Sequence, residues 1–331
     1  MTGKADTVRL VPPREIPVPD FLSSAARSYL EMRGFSSLPY PSTDDREGWL
    51  VHIETVNANL LSLLKQATRN AGVEVDEHYA GVARIFELRP LQAAPGDRSV
   101  ILDLHGGGLI YCGGELCRLM GIGLASRLER RVWSVDYRMP PDHPYPAALD
   151  DGMQAYGALL KESLPSEIII SGASAGGNLA AALVLRIRDS GLPMPAGVYL
   201  NTPEIDLTES GDSFHTNLGV DRSLASLMPV NRLYANGHDL RHPYLSPLFG
   251  DFGRGFPPTV LTTGTRDLYL SNTVRMHRAL RAADIPAELH VVEAGVHGGF
   301  PAGTPEGDAI DRDVRRFIEA ALNGVHDLAD S

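Results

Sequence analysis

The spacing of apolar residues changes along this chain in a way that separates strands from helices. VEVDEHY (73–79) and VARIFEL (82–88) read as two short strands, and SVILDLH (99–105) as a buried strand that ends in glycines. A helical stretch follows in LCRLMGIGLASRLER (116–130), then a strand in RVWSVDY (131–137). ALDDGMQAYGALLKE (148–162) returns to a helical period, EIIISG (167–172) to a strand, and an alanine- and leucine-rich helix runs from Gly176 to about Ser190. AGVYLN, PTVLTTG and PAELHVVEAG read as further strands. A helix from Asn272 to Ala283 separates the last two, and DRDVRRFIEAALNG closes the chain as a helix. Strands alternating with helices of about 10–15 residues predict an α/β fold: a mostly parallel sheet of about eight strands with helices on both faces. Right-handed crossovers make such a sheet doubly wound, and its ligands sit beyond the carboxyl ends of the strands.

Two regions depart from the alternation. Residues 1–20 are proline-rich with little periodicity and read as an extended arm. FLSSAARSYLEMRGF (21–35) and VNANLLSLLKQATRNAG (56–72) then place apolar residues three and four apart. Residues 1–70 are therefore expected to form an N-terminal arm and cap helices, and residues 71–331 the core. Residues 205–245, mixed in polarity between two strands, are expected to be an insertion contributing to the cap. Deleting residues 1–45 should alter substrate preference and leave the core folded.

The bulk numbers narrow the class. A chain of 331 residues, 43% hydrophobic and 21% charged, can bury a large core as an ordinary globular protein. Its formal net charge of -11 argues against nucleic acid or an anionic membrane as partner, because both repel negative charge. No apolar run reaches the ~18 residues of a spanning helix, and the N-terminus lacks a signal-peptide core, so a cytoplasmic location is expected. Cys112 and Cys117 are too few for a disulfide framework and lack metal-site spacing, so they read as packing residues.

The candidate chemistry lies in loops just after strands. Gly172-Ala173-Ser174-Ala175-Gly176 places the pattern G-x-S-x-G between a buried strand and a helix, which is the nucleophile-elbow arrangement. The turn is too tight for flanking side chains and projects the Ser174 hydroxyl above the sheet. The other reading of this segment is a plain strand–helix turn, one that binds phosphate for instance. His105-Gly106-Gly107-Gly108 follows another strand. Three glycines in a row cost conformational entropy, which is understandable if backbone N–H groups must approach a developing oxyanion closely. The candidate donors are the N–H groups of Gly107, Gly108 and Ala175; a merely flexible loop is the alternative. His105 reads as orienting that loop.

A serine needs a base, and histidine is the usual one. Among 11 histidines, His297 sits in VVEAGVHGGF after the last strand, between small residues that leave its ring accessible. It also comes late, as the order Ser…Asp…His requires for this fold. His290 lies within a strand and His143 among prolines. The acid is expected after PTVLTTG, where Asp267 would orient the imidazole. A helix cap is its alternative role, and Asp206, Glu204 and Glu293 are weaker candidates for the acid.

With these residues placed, the chain resembles the hormone-sensitive-lipase-like family of α/β-hydrolases over about residues 70–322. The resemblance rests on HGGG at 105–108, the elbow, and the block from Asp136-Tyr137-Arg138 to His143-Pro144-Tyr145-Pro146-Ala147-Ala148. Asp206-Leu207-Thr208 and Ser246-Pro247-Leu248 match as well. It implies an α/β-hydrolase fold with a helical cap and a serine hydrolase that cleaves small carboxylic esters or lactones. An acyl-enzyme would form at Ser174, served by His297 and Asp267, with no cofactor and no metal. It implies a scaffold role for the 136–148 block, and makes a homodimer through the last strand and helix an expectation. The chain departs from the family at Ala173, where aspartate is usual, at Leu109, where an aromatic usually follows HGGG, and at Glu204, often tryptophan. Asp267-Leu268-Tyr269-Leu270 lacks the proline that often follows the acid, and is closer to the lactone-hydrolase branch. These differences bear on substrate identity. Rival readings are a non-catalytic small-molecule receptor, whose plant examples lack the histidine, and a lyase or acyltransferase on the same scaffold.

Overall fold

The computed structural model describes residues 11–32, 34, 38–94 and 96–325; the first ten residues of the expected arm lie outside them. Eight strands form one sheet: β1 (Val73–Ala80), β2 (Ala83–Pro90), β3 (Val100–Leu104), β4 (Arg131–Asp136), β5 (Ile168–Ala173), β6 (Gly197–Asn201), β7 (Thr259–Gly264) and β8 (Ala287–Val292). Their order across the sheet is β1-β2-β4-β3-β5-β6-β7-β8. The β1–β2 and β2–β4 pairs are antiparallel, and every other pair is parallel. This is the expected α/β architecture.

The sequence of each strand follows from its depth. β3 and β7 are buried at every position, so they read as unbroken apolar or small runs. The edge strand β1 alternates partly buried and exposed residues. The helices between strands are α3 (Glu115–Leu128), α4 (Ala147–Leu159), α5 (Ala175–Asp189), α8 (Leu270–Ala282) and the final α9 (Pro305–Leu322). α5 is buried at all but three of its 15 positions, which explains its run of Ala, Leu and Val. Leu179, Ala182 and Leu183 join Leu104, Ile170 and Leu200 of the sheet in the main core.

The N-terminal region holds α1 (Ser24–Glu31) and α2 (Arg46–Ala67). α2 starts ten residues before the apolar periodicity does. Its start is set by Asp45, whose side chain accepts the Gly48 N–H at 2.9 Å, a capping signal that polar neighbours on both sides obscure. The 205–245 region contains only the short helices α6 (Ser213–Thr216) and α7 (Met228–Ala235). Trp49 of α2, Phe214, Leu227 and Val230 of this region, and Tyr111 and Tyr269 of the core loops share one apolar cluster. No helix among the described residues is long and apolar enough to cross a membrane.

Candidate active site

The three residues singled out as nucleophile, base and acid come from three loops at the carboxyl ends of β5, β8 and β7. Ser174 sits between β5 and α5 with φ 57° and ψ −124°, a region that L residues rarely occupy. The glycines on either side follow from contact. A Cβ on Gly172 would lie 2.1 Å from the carbonyl oxygen of Gly176, and one on Gly176 would lie 1.9 Å from that of Leu104. Only glycine lets this turn fold back on itself and touch the end of β3.

His297 Nε2 lies 2.9 Å from Ser174 Oγ, and its Nδ1 lies 3.1 Å from Asp267 Oδ1. Asp267 is fully buried. Its Oδ2 accepts from the Thr263 hydroxyl at 2.7 Å and its Oδ1 also accepts the Tyr269 N–H at 2.9 Å. Tyr269 is the cap of α8, so Asp267 braces the residue that caps the helix and is not the cap itself. The Tyr269 ring meets the His297 ring edge-on, with centroids 4.9 Å apart. Burial alone would push the His297 imidazole down; the hydrogen bond and charge of Asp267, with the charges of Asp221 and Glu204, raise it net above its ordinary value.

The glycine loop lies against the elbow. A Cβ at Gly106 would sit 3.0 Å from the Ala173 carbonyl oxygen and 3.5 Å from Ser174 Cβ. Gly107 and Gly108 have φ of 125° and 56°, and a Cβ on Gly107 would come within 2.5 Å of the Tyr111 carbonyl. Ala175 opens α5, so its N–H has no acceptor inside the helix. The N–H groups of Gly107, Gly108 and Ala175 thus belong to two segments that meet at Ser174.

Behind this loop His105 has a bracing position. Its ring stacks on Tyr137 at 4.1 Å, its Nδ1 is 2.8 Å from Gly106 O, and the Tyr137 hydroxyl donates to His105 O at 2.7 Å. Asp136 accepts the Gly114 N–H at 2.8 Å and pairs with Arg84. Asp151 takes the backbone N–H and guanidinium of Arg138. The 136–148 block therefore contacts the glycine loop from below. Cys112 and Cys117 are both buried free thiols. His105, Cys117 and Asp136 bring one possible ligand atom each within 4.8 Å of one another, but both Asp136 oxygens already hold donors and burial pushes the Cys117 thiol well up.

Of the other acids, Asp206 is taken up by Thr208, Ser210 and Arg275. Glu293 is exposed. Glu204 is fully buried, receives the Asn231 amide at 3.0 Å, and is pushed by burial up to about 7. Three residues that sequence reasoning passed over also reach the site. Asn57 of α2 accepts the Cys112 N–H at 3.0 Å. Asn217 and Asp221, in the 205–245 region, bind the backbone around Asp267 and His297. Asp221 also accepts the N–H of Ser223 two residues on, so in sequence it is indistinguishable from an ordinary turn aspartate.

A mostly parallel eight-stranded sheet with a serine on a strained strand–helix turn, a histidine against its hydroxyl and a buried aspartate behind the ring defines an α/β-hydrolase. The comparisons agree. The family model described as alpha/beta hydrolase fold matches residues 101–301. An esterase from Acinetobacter venetianus is 34% identical over 241 residues, covering 69% of this chain and 77% of that protein. The crystal structure of an esterase superposes with a TM-score of 0.87 at 32% identity, covering 96% of this chain and 98% of that one. A hormone-sensitive lipase from a metagenome library gives a TM-score of 0.78 at 28% identity over 90% of this chain and 98% of its own. The chain belongs to the α/β-hydrolase fold family, among its esterases.

Proposed function

We propose that this ester hydrolase cleaves small carboxylic esters, lactones included as cyclic esters, through an acyl-enzyme on Ser174. His297 Nε2 takes the Ser174 proton as Oγ attacks the carbonyl carbon, and Asp267 stabilises the resulting imidazolium and fixes its tautomer. The N–H groups of Gly107, Gly108 and Ala175 hold the tetrahedral oxyanion. His297 then gives its proton to the leaving alcohol. Water, deprotonated by His297, releases the acid. These roles all fall to groups of the chain, so the steps call for no metal or redox cofactor. The observation that carries the reading is the hydrogen-bonded line from Asp267 through His297 to Ser174 Oγ, 3.1 and 2.9 Å long.

The described part of the N-terminal segment to residue 70 and residues 205–245 act as the cap. What supports this is their shared apolar cluster, which includes Tyr111 and Tyr269 beside the site. Ala173, Leu109 and Glu204 adjoin the same site and are where substrate preference would be set. Ser174→Ala should fold as the parent does and lose hydrolysis of p-nitrophenyl acetate by several orders of magnitude. It should also lose labelling by a fluorophosphonate probe. A variant that keeps its rate would remove Ser174 from the mechanism. A screen of esters of graded acyl length beside several lactones identifies the substrate, with free acid and alcohol as the products that separate hydrolysis from acyl transfer.

A further inference from the structure

Asp221 lies in none of the motifs that pointed to the site, yet one of its oxygens touches two catalytic loops. Its Oδ2 accepts the N–H of Leu268, the residue after Asp267, at 2.8 Å, and the N–H of His297 itself at 3.1 Å. Its Oδ1 accepts the Ser223 N–H at 2.8 Å, and the side chain is buried. Four residues earlier, Asn217 donates to the carbonyl of Asp267 at 2.8 Å and to that of Thr265 at 3.2 Å. The Asp221 N–H donates in turn to Asn217 O at 2.9 Å. Both polar groups of the peptide bond between Asp267 and Leu268 are therefore gripped by this pair, the carbonyl by Asn217 and the N–H by Asp221.

The consequence is geometric and electrostatic. A single carboxylate oxygen is a common point for the acid loop and the base loop, so it sets the distance across which Asp267 meets the His297 ring. Burial raises the Asp221 carboxyl net above its ordinary value, opposed by the charge of the imidazole and by the Leu268 and Ser223 N–H groups; as a carboxylate it lies next to the imidazole that becomes positive during attack. We propose that Asp221 is a positioning residue of the hydrolytic reaction: it registers Asp267 against His297 and adds a second negative charge beside the imidazolium. This rests on the triad reading above. Displacing reacting groups by about 1 Å can cost about 10²-fold in rate, so the tie is expected to matter to catalysis and not only to folding.

The groups that face the imidazole are Asp267 from the loop after β7, Glu204 from the loop after β6, Asp221 from the 205–245 region, and the Ser174 hydroxyl and Tyr269 ring. Removing the Asp221 charge alone should let the imidazole lose its proton more readily. Asp221→Asn keeps the size and removes the charge. It should lower kcat on p-nitrophenyl acetate about 10–100-fold, change KM far less, and move the acidic limb of kcat/KM to lower pH. Asn217→Ala, which loosens the same peptide but removes no charge, should lower kcat and leave that limb where it is. A folded Asp221→Asn with parental kcat overturns the proposal; so does one that is slower with its limb unmoved, since a plain loop brace would behave that way. If the amide variant does not fold, Asp221→Glu decides. Its longer arm should lower kcat with the limb unchanged, while parental kcat or a displaced limb overturns the idea. Ser174→Ala run alongside separates the two levels, because activity surviving there refutes the triad and not the role of Asp221.

Discussion

Glu204 shows how burial can change what a single side chain does with pH. It stands three residues past Asn201, the last residue of β6, fully buried, and accepts the Asn231 amide. Burial pushes its carboxyl to about 7, with the Asn231 amide opposing and the Glu209 charge adding. The sign for stability follows from linkage. A carboxyl whose folded value is raised favours the folded state fully below its unfolded value near 4.5, and that contribution is lost as pH rises through about 7. Glu204→Gln keeps an oxygen for Asn231 and removes the ionisation. Its Tm should exceed that of the parent at pH 8 by a few degrees and differ little at pH 5 in matched thermal melts. An equal difference at both pH values would show that ionisation of Glu204 has no part in it.

α2 shows what an element outside the sheet does for the site. Its capping aspartate starts it early enough to bring Trp49 and His52 inward, and His52 Nε2 lies 2.8 Å from the Tyr111 hydroxyl. One turn further on, Asn57 holds the Cys112 N–H, on the loop that continues from the glycines. The helix is therefore fastened to the segment that presents the proposed oxyanion donors. Asn57→Ala leaves a mostly buried N–H unpaired, a loss of about 1–3 kcal/mol. The variant should melt a few degrees lower and turn over p-nitrophenyl acetate about tenfold more slowly, in line with the cost of small displacements. Unchanged kinetics together with a lowered Tm would confine α2 to a stabilising role.

Across the whole molecule, the start of α1 is fastened to the start of the last helix. The Ser23 hydroxyl and N–H both donate to Glu306 of α9 at 2.7 Å. Leu22 and Ala26 pack with Ala294 and Phe300, on either side of His297 in sequence, and Arg266 donates to the Pro17 carbonyl at 2.6 Å. Tyr40 stacks on Trp49. Removing residues 1–45 therefore strips packing from the loop that carries the proposed base, beyond the change in preference expected of a cap. The truncated chain should keep its far-ultraviolet circular dichroism, melt lower and shift its order of preference over a graded ester panel. An unaltered melt and an unaltered preference order would mean that this segment neither braces nor caps the site.

Taken together, the strand and helix order and the elbow were readable along the chain because each depends on neighbours in sequence. Period-two and period-3.6 patterns reflect burial of one element at a time, and Gly172 and Gly176 flank Ser174 because that turn must fold on itself. The places of His297 and Asp267 in loops after late strands were legible too, and their roles as base and acid are the proposal made above. The early start of α2 and the roles of Asn57, Asn217 and Asp221 were not. Asp221 binds residues 47 and 76 positions away through backbone N–H groups, and any residue but proline supplies such a group. No residue type in the partner marks the contact, so only the packing of the 205–245 region against the sheet's loops decided it. By itself the sequence determined the elements and the chemistry that the loops after the strands could offer. The tertiary structure decided which side chains hold those loops at working distance, because that depends on chain segments remote in sequence being brought together.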